Sequence, residues 1–180
     1  MDFPKVSIIT VCYNSEKTIE QTICSVLGQS YNNIEYIIID GGSEDKTLDI
    51  IRKYDKKITV ISETDDGLYH AMNKGIMKSS GDIVGIINSD DWYEDNAVEL
   101  AVEYLQQDKC DLVYGSCKCI HENGLIQEYR CHDIEALSYR MICAHSTVFV
   151  KKKIYEKYGI FNQRYKIAAD YDMLLRFYEC

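Results

Sequence analysis

The 180 residues contain a single proline, Pro4, and no run approaching the roughly 18 apolar residues of a membrane-spanning helix. Linker-like tracts, low-complexity segments and internal repeats are also missing, so the chain reads as one domain. Basic residues are few: 20 Lys and Arg stand against 29 Asp and Glu, and the net charge of −9 argues against nucleic acid as a partner. The one basic run, Lys151-Lys152-Lys153, reads as a solvated helix start. Met-Asp-Phe-Pro-Lys leads straight into a strand rather than a signal sequence, so a cytoplasmic location is expected. The turn after the first strand, Tyr13-Asn14-Ser15, lacks the Gly-x-Gly-x-x-Gly fingerprint, which excludes an ordinary dinucleotide-binding dehydrogenase. Paired zinc-ligand spacing is absent among Cys12, Cys24, Cys110, Cys117, Cys119, Cys131, Cys143 and Cys180, which read as reduced packing residues.

What is present is a globular composition, 46% hydrophobic and 27% charged, with enough chain for a substantial core. The first hundred residues alternate strand and helix patterns: Val6–Cys12 strand, Ser15–Leu27 helix, Glu35–Asp40 strand, Ser43–Tyr54 helix and Ile58–Ser62 strand. That rhythm predicts an α/β fold with a mostly parallel, Rossmann-like sheet sandwiched by helices. Ser15 is the expected N-cap of the first helix, and Gly41-Gly42 supplies a tight strand-to-helix turn. Helices are expected over Leu68–Met77 and Asn96–Gln107, with a strand over Ile83–Ile87 between them. The later pattern predicts an Asp111–Tyr114 strand, a hairpin of Ser116–Ile120 with Leu125–Arg130, and a Ser146–Val150 strand. Helices Lys152–Tyr158 and Asp170–Tyr178 follow. The last still reads as a helix where the chain stops at Cys180, without a stop signal, which suggests truncation.

The most informative segment is Gly85-Ile-Ile-Asn-Ser-Asp-Asp-Trp92, where a buried strand runs directly into two carboxylates. Open α/β sheets bind ligands beyond the carboxyl ends of their strands, so Asn88, Asp90 and Asp91 stand at a natural ligand site. Hard oxygen ligands favour Mn²⁺ or Mg²⁺, whose shell substrate phosphates commonly complete. Asp90 and Asp91 also suit capping of the helix that begins near Asp95.

Motifs fall at four strand ends in order: Thr10-Val-Cys-Tyr-Asn14, Asp40-Gly-Gly-Ser43, Glu63-Thr-Asp-Asp-Gly67 and Asn88-Ser-Asp-Asp91. With Ala71-Met-Asn-Lys-Gly75, Ser80-Gly-Asp-Ile83 and Ala168-Ala-Asp-Tyr-Asp172, this series resembles the family 2 glycosyltransferases, inverting and nucleotide-sugar dependent, from Val6 to Arg176. The resemblance implies a GT-A fold, with 1–92 as the nucleotide-sugar-binding half and 93–180 as the acceptor-side half. It implies transfer from a nucleoside diphosphate sugar, a UDP-sugar by the family's habit, to a glycan or lipid-linked acceptor in surface polysaccharide assembly. A lipid-linked acceptor brings peripheral contact with the inner membrane face. Oligomeric state is not legible.

Residue by residue, the resemblance places Thr10, Tyr13 and Asp40 around the base and gives Asp66 a share in holding the nucleotide. Asp91 becomes the main metal ligand, and Asp90 faces the ribose or the metal's water shell. Asn88 accompanies them, Trp92 is placed to stack on the acceptor sugar, and His145 is placed near the metal or diphosphate. Tyr93 reads as packing, while Asn73 and Lys74 read as support for their helix and the donor loop. Asp170 falls on the catalytic base, although capping of the last helix is a role that Asp fills equally well. Ala169 stands where the family commonly has an acidic residue. The alternative reading is a non-catalytic nucleotide-sugar-binding or partner-binding module.

Overall fold

The computed structural model describes residues 3–107 and 110–179. Strands β1 (Val6–Cys12), β2 (Ile34–Asp40), β3 (Thr59–Ser62) and β4 (Ile83–Asn88) alternate with helices α1 (Ile19–Leu27), α2 (Thr47–Arg52) and α3 (Leu68–Lys78). After α4 (Ala97–Gln106) come β5 (Leu112–Val113), β6 (Cys117–Ile120), β7 (Ile126–Tyr129), β8 (Phe149–Lys151), α5 (Lys152–Tyr158) and α6 (Ala169–Tyr178). The main sheet has the order β3-β2-β1-β4-β8-β5. Its first four strands are mutually parallel, and β8 runs antiparallel to both β4 and β5. This is the mostly parallel sheet flanked by helices that the sequence rhythm predicts. Strands β6 and β7 form a separate hairpin.

All seven residues of β1 are buried, as a central parallel strand covered on both faces requires. Ile9 and Val11 point with Ile37, Ile39 and Ile86 into a core closed by α3, α5 and α6. Val6, Ile8 and Cys12 point the other way, with Ile38 and Ile87, against α1 and α4. Helix α3 lies so close on β1 that a Cβ at Gly75 would run into the Ile9 side chain, so only glycine fits there.

Several boundaries differ from the sequence reading, among them α2, which starts at Thr47 and not Ser43. Helix α1 starts at Ile19, not Ser15: the Ser15 carbonyl accepts from Thr18 and Ile19 in a preceding turn. Ser15 is not the cap, because its hydroxyl pairs with Ser89 and its N–H donates to Thr47 Oγ1. The expected Ser146–Val150 strand begins only at Phe149, since His145–Thr147 wind into a single 3-10 turn. Helix α6 begins at Ala169 with Ala168 as its cap residue, so Asp170 sits inside the first turn and is not the cap. Cys180, where the sequence reading ends its last helix, lies outside the described residues.

Chain order reverses across β1 and β4: β2 and β3 extend to one side of β1, and β4 lies on the other. The strand ends there are level, with Cys12 opposite Asp40, Asp40 opposite Ser62, and Val11 opposite Asn88. An open α/β sheet forms its ligand crevice at such a reversal.

Candidate active site

The floor of the crevice is built from the loops that leave β1 and β2. Asp40, fully buried, accepts from the N–H groups of Gly42 and Ser43 and from the hydroxyls of Ser43 and Ser62. Gly42 takes a φ of 84°, the left-handed conformation that lets its N–H turn back onto that carboxylate. Asp40 therefore has no free oxygen for a base; it shapes the loop beneath one. Thr10 is also fully buried, its hydroxyl 2.9 Å from the Tyr36 hydroxyl within the sheet, so it too lies under the floor and not in it.

Above that floor the loops are stitched together. The Asn14 N–H donates to Ser43 Oγ, and the Asn14 side-chain oxygen accepts from the Glu44 N–H. Asn14 itself adopts a φ of 50°, a conformation Asn tolerates better than most residues. The neighbouring Tyr13 ring is 61% exposed, which leaves a flat aromatic face open at the crevice.

The third loop shows a residue that the sequence reading passed over. Asp66 is exposed, and its N–H donates to His70 Nδ1. Asp65 instead turns inward, its side chain only 8% exposed, with the Lys74 ammonium 2.6 Å from Oδ1. Oδ1 is thus taken up by Lys74, with His70 Nδ1 3.5 Å away, whereas Oδ2 makes no hydrogen bond within the protein and lies next to Gly41. A buried, charge-compensated carboxylate with open acceptor capacity at the loop junction marks a ligand-facing group. Adjacent Asp65 and Asp66 are indistinguishable by residue type; only the direction of the side chain separates them. Lys74 also binds Glu63, so it ties α3 to the loop that follows β3.

The β4 loop carries the acidic pair. Thr22 of α1 donates its hydroxyl to the Asp91 carbonyl, and Ser25 accepts from the Tyr93 N–H, which fixes the loop's path. Tyr93 is buried against the Phe149 ring, the packing role expected of it, while Trp92 is 43% exposed. Asn88 Nδ2 donates to Asp91 Oδ2 at 3.2 Å. Burial, then the neighbouring Asp90, pushes the Asp91 carboxyl above the usual range, partly offset by the Ser146 hydroxyl, Asn88 and His145.

His145, on the 3-10 turn before β8, leans against the same group. Burial pulls its imidazole below the ordinary value, while Asp170 and Asp91 pull it upward. Its Nε2 and the Asn88 side-chain oxygen are both buried without a hydrogen-bond partner. His145 and Asp170 share a small cavity of about 10 Å³ otherwise lined by apolar groups such as Ile86, Val148 and Met173. The first turn of α6 puts Asp170 there, with its Oδ1 accepting from the Tyr171 N–H and the Tyr69 hydroxyl. Ala169, in place of an acidic residue, is fully buried in the core, where a carboxylate would lack solvation.

The fold thus gathers Asp91, His145 and Asp170 from three separate segments, the loop after β4, the turn before β8 and the first turn of α6. Among the described residues, no three His, Cys, Asp or Glu side chains form a ready-made cage for a metal ion. None of their helices is long and apolar enough to cross a membrane.

Comparison with known proteins points the same way. A PGL/p-HBAD biosynthesis glycosyltransferase of Mycobacterium bovis is 28% identical over 182 residues, covering 98% of this chain and 70% of that protein. An uncharacterized glycosyltransferase of Haemophilus influenzae is 31% identical over 188 residues, covering 93% of this chain and 58% of its own length. Among solved structures, S. aureus TarS in complex with UDP-GlcNAc superimposes with a TM-score of 0.80 at 21% identity, over 97% of this chain and 53% of that one. The mannosyltransferase PcManGT from Pyrobaculum calidifontis, in complex with GDP-Man and Mn²⁺, gives a TM-score of 0.74 at 21% identity over 97% and 52% of the two chains. The chain thus spans about half the length of these structures. The profile described as Glycosyl transferase family 2 matches residues 7–168, nearly the whole chain, and on that match the chain belongs to glycosyl transferase family 2.

Proposed function

We propose that this domain transfers a sugar, with inversion, from a nucleoside diphosphate sugar to a hydroxyl of a glycan or lipid-linked acceptor in cell-surface polysaccharide assembly. The observation that carries this reading is the convergence of Asp91, His145 and Asp170 beside the strand-order reversal. Tyr13 and Asp65 offer the base an open ring face and one unspent acceptor oxygen, Asp65 Oδ2; Thr10 and Asp40 support that site from below. Uridine fits this set, because its N–H can donate to a carboxylate oxygen. TarS, of similar fold, has been crystallised with UDP and UDP-GlcNAc. Asp66, exposed at the mouth of the loop, is available to accept from the nucleotide's ribose hydroxyls.

The polar groups at β4 fit a divalent cation bound jointly with the donor. Asp91 and Asp90 supply carboxylates, and the unpartnered Asn88 oxygen and His145 Nε2 supply unused lone pairs. With no complete cage preassembled among the described residues, the diphosphate would complete the shell, as Mn²⁺ and Mg²⁺ commonly allow. Such an ion neutralises charge on the departing diphosphate.

On the opposite side Asp170 acts as general base. The acceptor oxygen bonds to the anomeric carbon as the bond from that carbon to the diphosphate breaks, and the acceptor's proton passes to the Asp170 carboxylate. Trp92, half-exposed beside Asp91, is placed to stack on a sugar ring. A lipid-linked acceptor would bring the domain to the inner membrane face.

The test is donor binding and hydrolysis across UDP-, GDP- and dTDP-sugars, with Mn²⁺ or chelator, for wild type and Asp91→Ala. Metal-dependent selection of one donor, lost in the variant, is expected. A folded wild type that binds none of them sinks the proposal.

A further inference from the structure

Asp170 does not stand alone on α6. The Tyr69 hydroxyl lies 2.5 Å from the Ile167 carbonyl and 3.2 Å from Asp170 Oδ1, so its single proton goes chiefly to the backbone carbonyl and is shared with the carboxylate that carries the proposed chemistry. The Tyr171 N–H also donates to Oδ1, at 2.9 Å. Both protein bonds fall on one oxygen, which leaves Oδ2 for the acceptor. Burial, then the Asp170 charge, pushes the Tyr69 phenol above its ordinary range, so it stays protonated and keeps donating.

The ring that carries this hydroxyl is fixed. Tyr69 is 9% exposed and stacks on Phe161, with centroids 5.4 Å apart. One helical turn later Asn73 holds the same Phe161 by its backbone, donating to its carbonyl and accepting from its N–H, both at 2.9 Å. Residues four apart on a helix share a face, so α3 clamps the segment leading into α6 at Phe161 and again at Ile167. From the other end, Arg176 of α6 donates to the carbonyls of Tyr158 and Ile160.

We infer that Tyr69 is a positioning residue for transfer: its hydroxyl holds Asp170 Oδ1 and the Ile167 carbonyl together, so that Oδ2 faces the acceptor. The inference rests on Asp170 being the base. Because α3 begins directly after the Asp65-Asp66-Gly67 loop, one helix then connects the donor floor with the oxygen that receives the proton.

The test is Tyr69→Phe, which keeps the ring and its stacking and removes only the hydroxyl, measured beside Asp170→Asn. For Tyr69→Phe the expected result is a kcat lowered about tenfold, the rate equivalent of one lost orienting hydrogen bond, with donor Kd, acceptor KM and Tm unchanged. Wild-type kcat in Tyr69→Phe overturns the inference, as does a loss of kcat matched by an equal loss of donor affinity, since that pattern means general loosening of α3. Asp170→Asn is expected to bind donor and not transfer. Transfer by that variant overturns the base reading itself, a result that can be told apart from either outcome for Tyr69.

Discussion

At the scale of single residues, the least conspicuous carboxylate in the sequence carries the clearest pH dependence. Glu35, at the amino-terminal edge of the sheet, accepts from the Ser7 hydroxyl, the Ser80 hydroxyl and N–H, and the Lys5 ammonium. Burial alone would raise its carboxyl; the Ser7, Ser80 and Lys5 donors outweigh that and hold it at about 2, against an ordinary 4.5. A depressed folded-state value means stability that is complete above pH 4.5 and is lost as pH falls toward 2. The contribution is roughly 2–3 kcal/mol, so Glu35→Gln should lower Tm at pH 7 and flatten the fall of Tm across that acid range. Equal acid sensitivity in variant and wild type would refute it. The same scale shows what residue type cannot convey. Asp66 and Asp65 read alike, yet one is exposed and the other buried beside Lys74. Thr10 and Asp40 fall in ligand-type motifs, yet their polar atoms are taken up inside the sheet.

At the scale of elements, the parallel strands and the starts of α3 and α5 were legible, and the starts of α1 and α2 were not. Unbroken runs such as Val6–Cys12 and Ile34–Asp40 announce buried parallel strands by hydrophobicity alone. The start of α1 depends on where the Ser15 hydroxyl goes, and Ser89, distant in sequence, captures it. Likewise the turn at His145–Thr147 replaces strand because the Thr147 hydroxyl bonds the Gly115 and Ala144 carbonyls instead of leaving the backbone free for a ladder. Helix α3 was legible as a helix, but its second function as a clamp was not, since nothing in the spacing of Asn73 names Phe161 as its partner. Asn73→Ala removes both bonds to that backbone and leaves a buried N–H and C=O unpaired, a cost of roughly 2–4 kcal/mol. Hydrogen exchange at Phe161 should accelerate accordingly, with exchange in β1 and β2 little changed. An unchanged Phe161 amide would show that the clamp is dispensable.

At the scale of the whole molecule, order is distributed unevenly. The parallel strands are covered on both faces, whereas every residue of β7 is exposed and the hairpin pairs with no other strand. An isolated two-stranded hairpin is marginal in water, so amides over Cys117–Tyr129 should exchange orders of magnitude faster than those of β1. Protection equal to that of β1 would mean that the hairpin is held by contacts other than its own pairing. The general architecture, with four strand ends converging on one crevice, was readable from the order of motifs. The convergence of His145 and Asp170 on one cavity was not, because it depends on how β8 and α6 fold back over β4.

The separate hairpin has a consequence for descent. The β6–β7 hairpin leaves and rejoins the body of the domain at one point, where the Ser116 hydroxyl accepts from the Cys131 N–H. An insertion, deletion or wholesale exchange inside that hairpin leaves the ladder of β3, β2, β1 and β4 intact. Variation can therefore accumulate by grafting a different hairpin onto an inherited frame, and chimaeras joined at these two residues are the natural starting point for testing whether that hairpin affects what the domain binds.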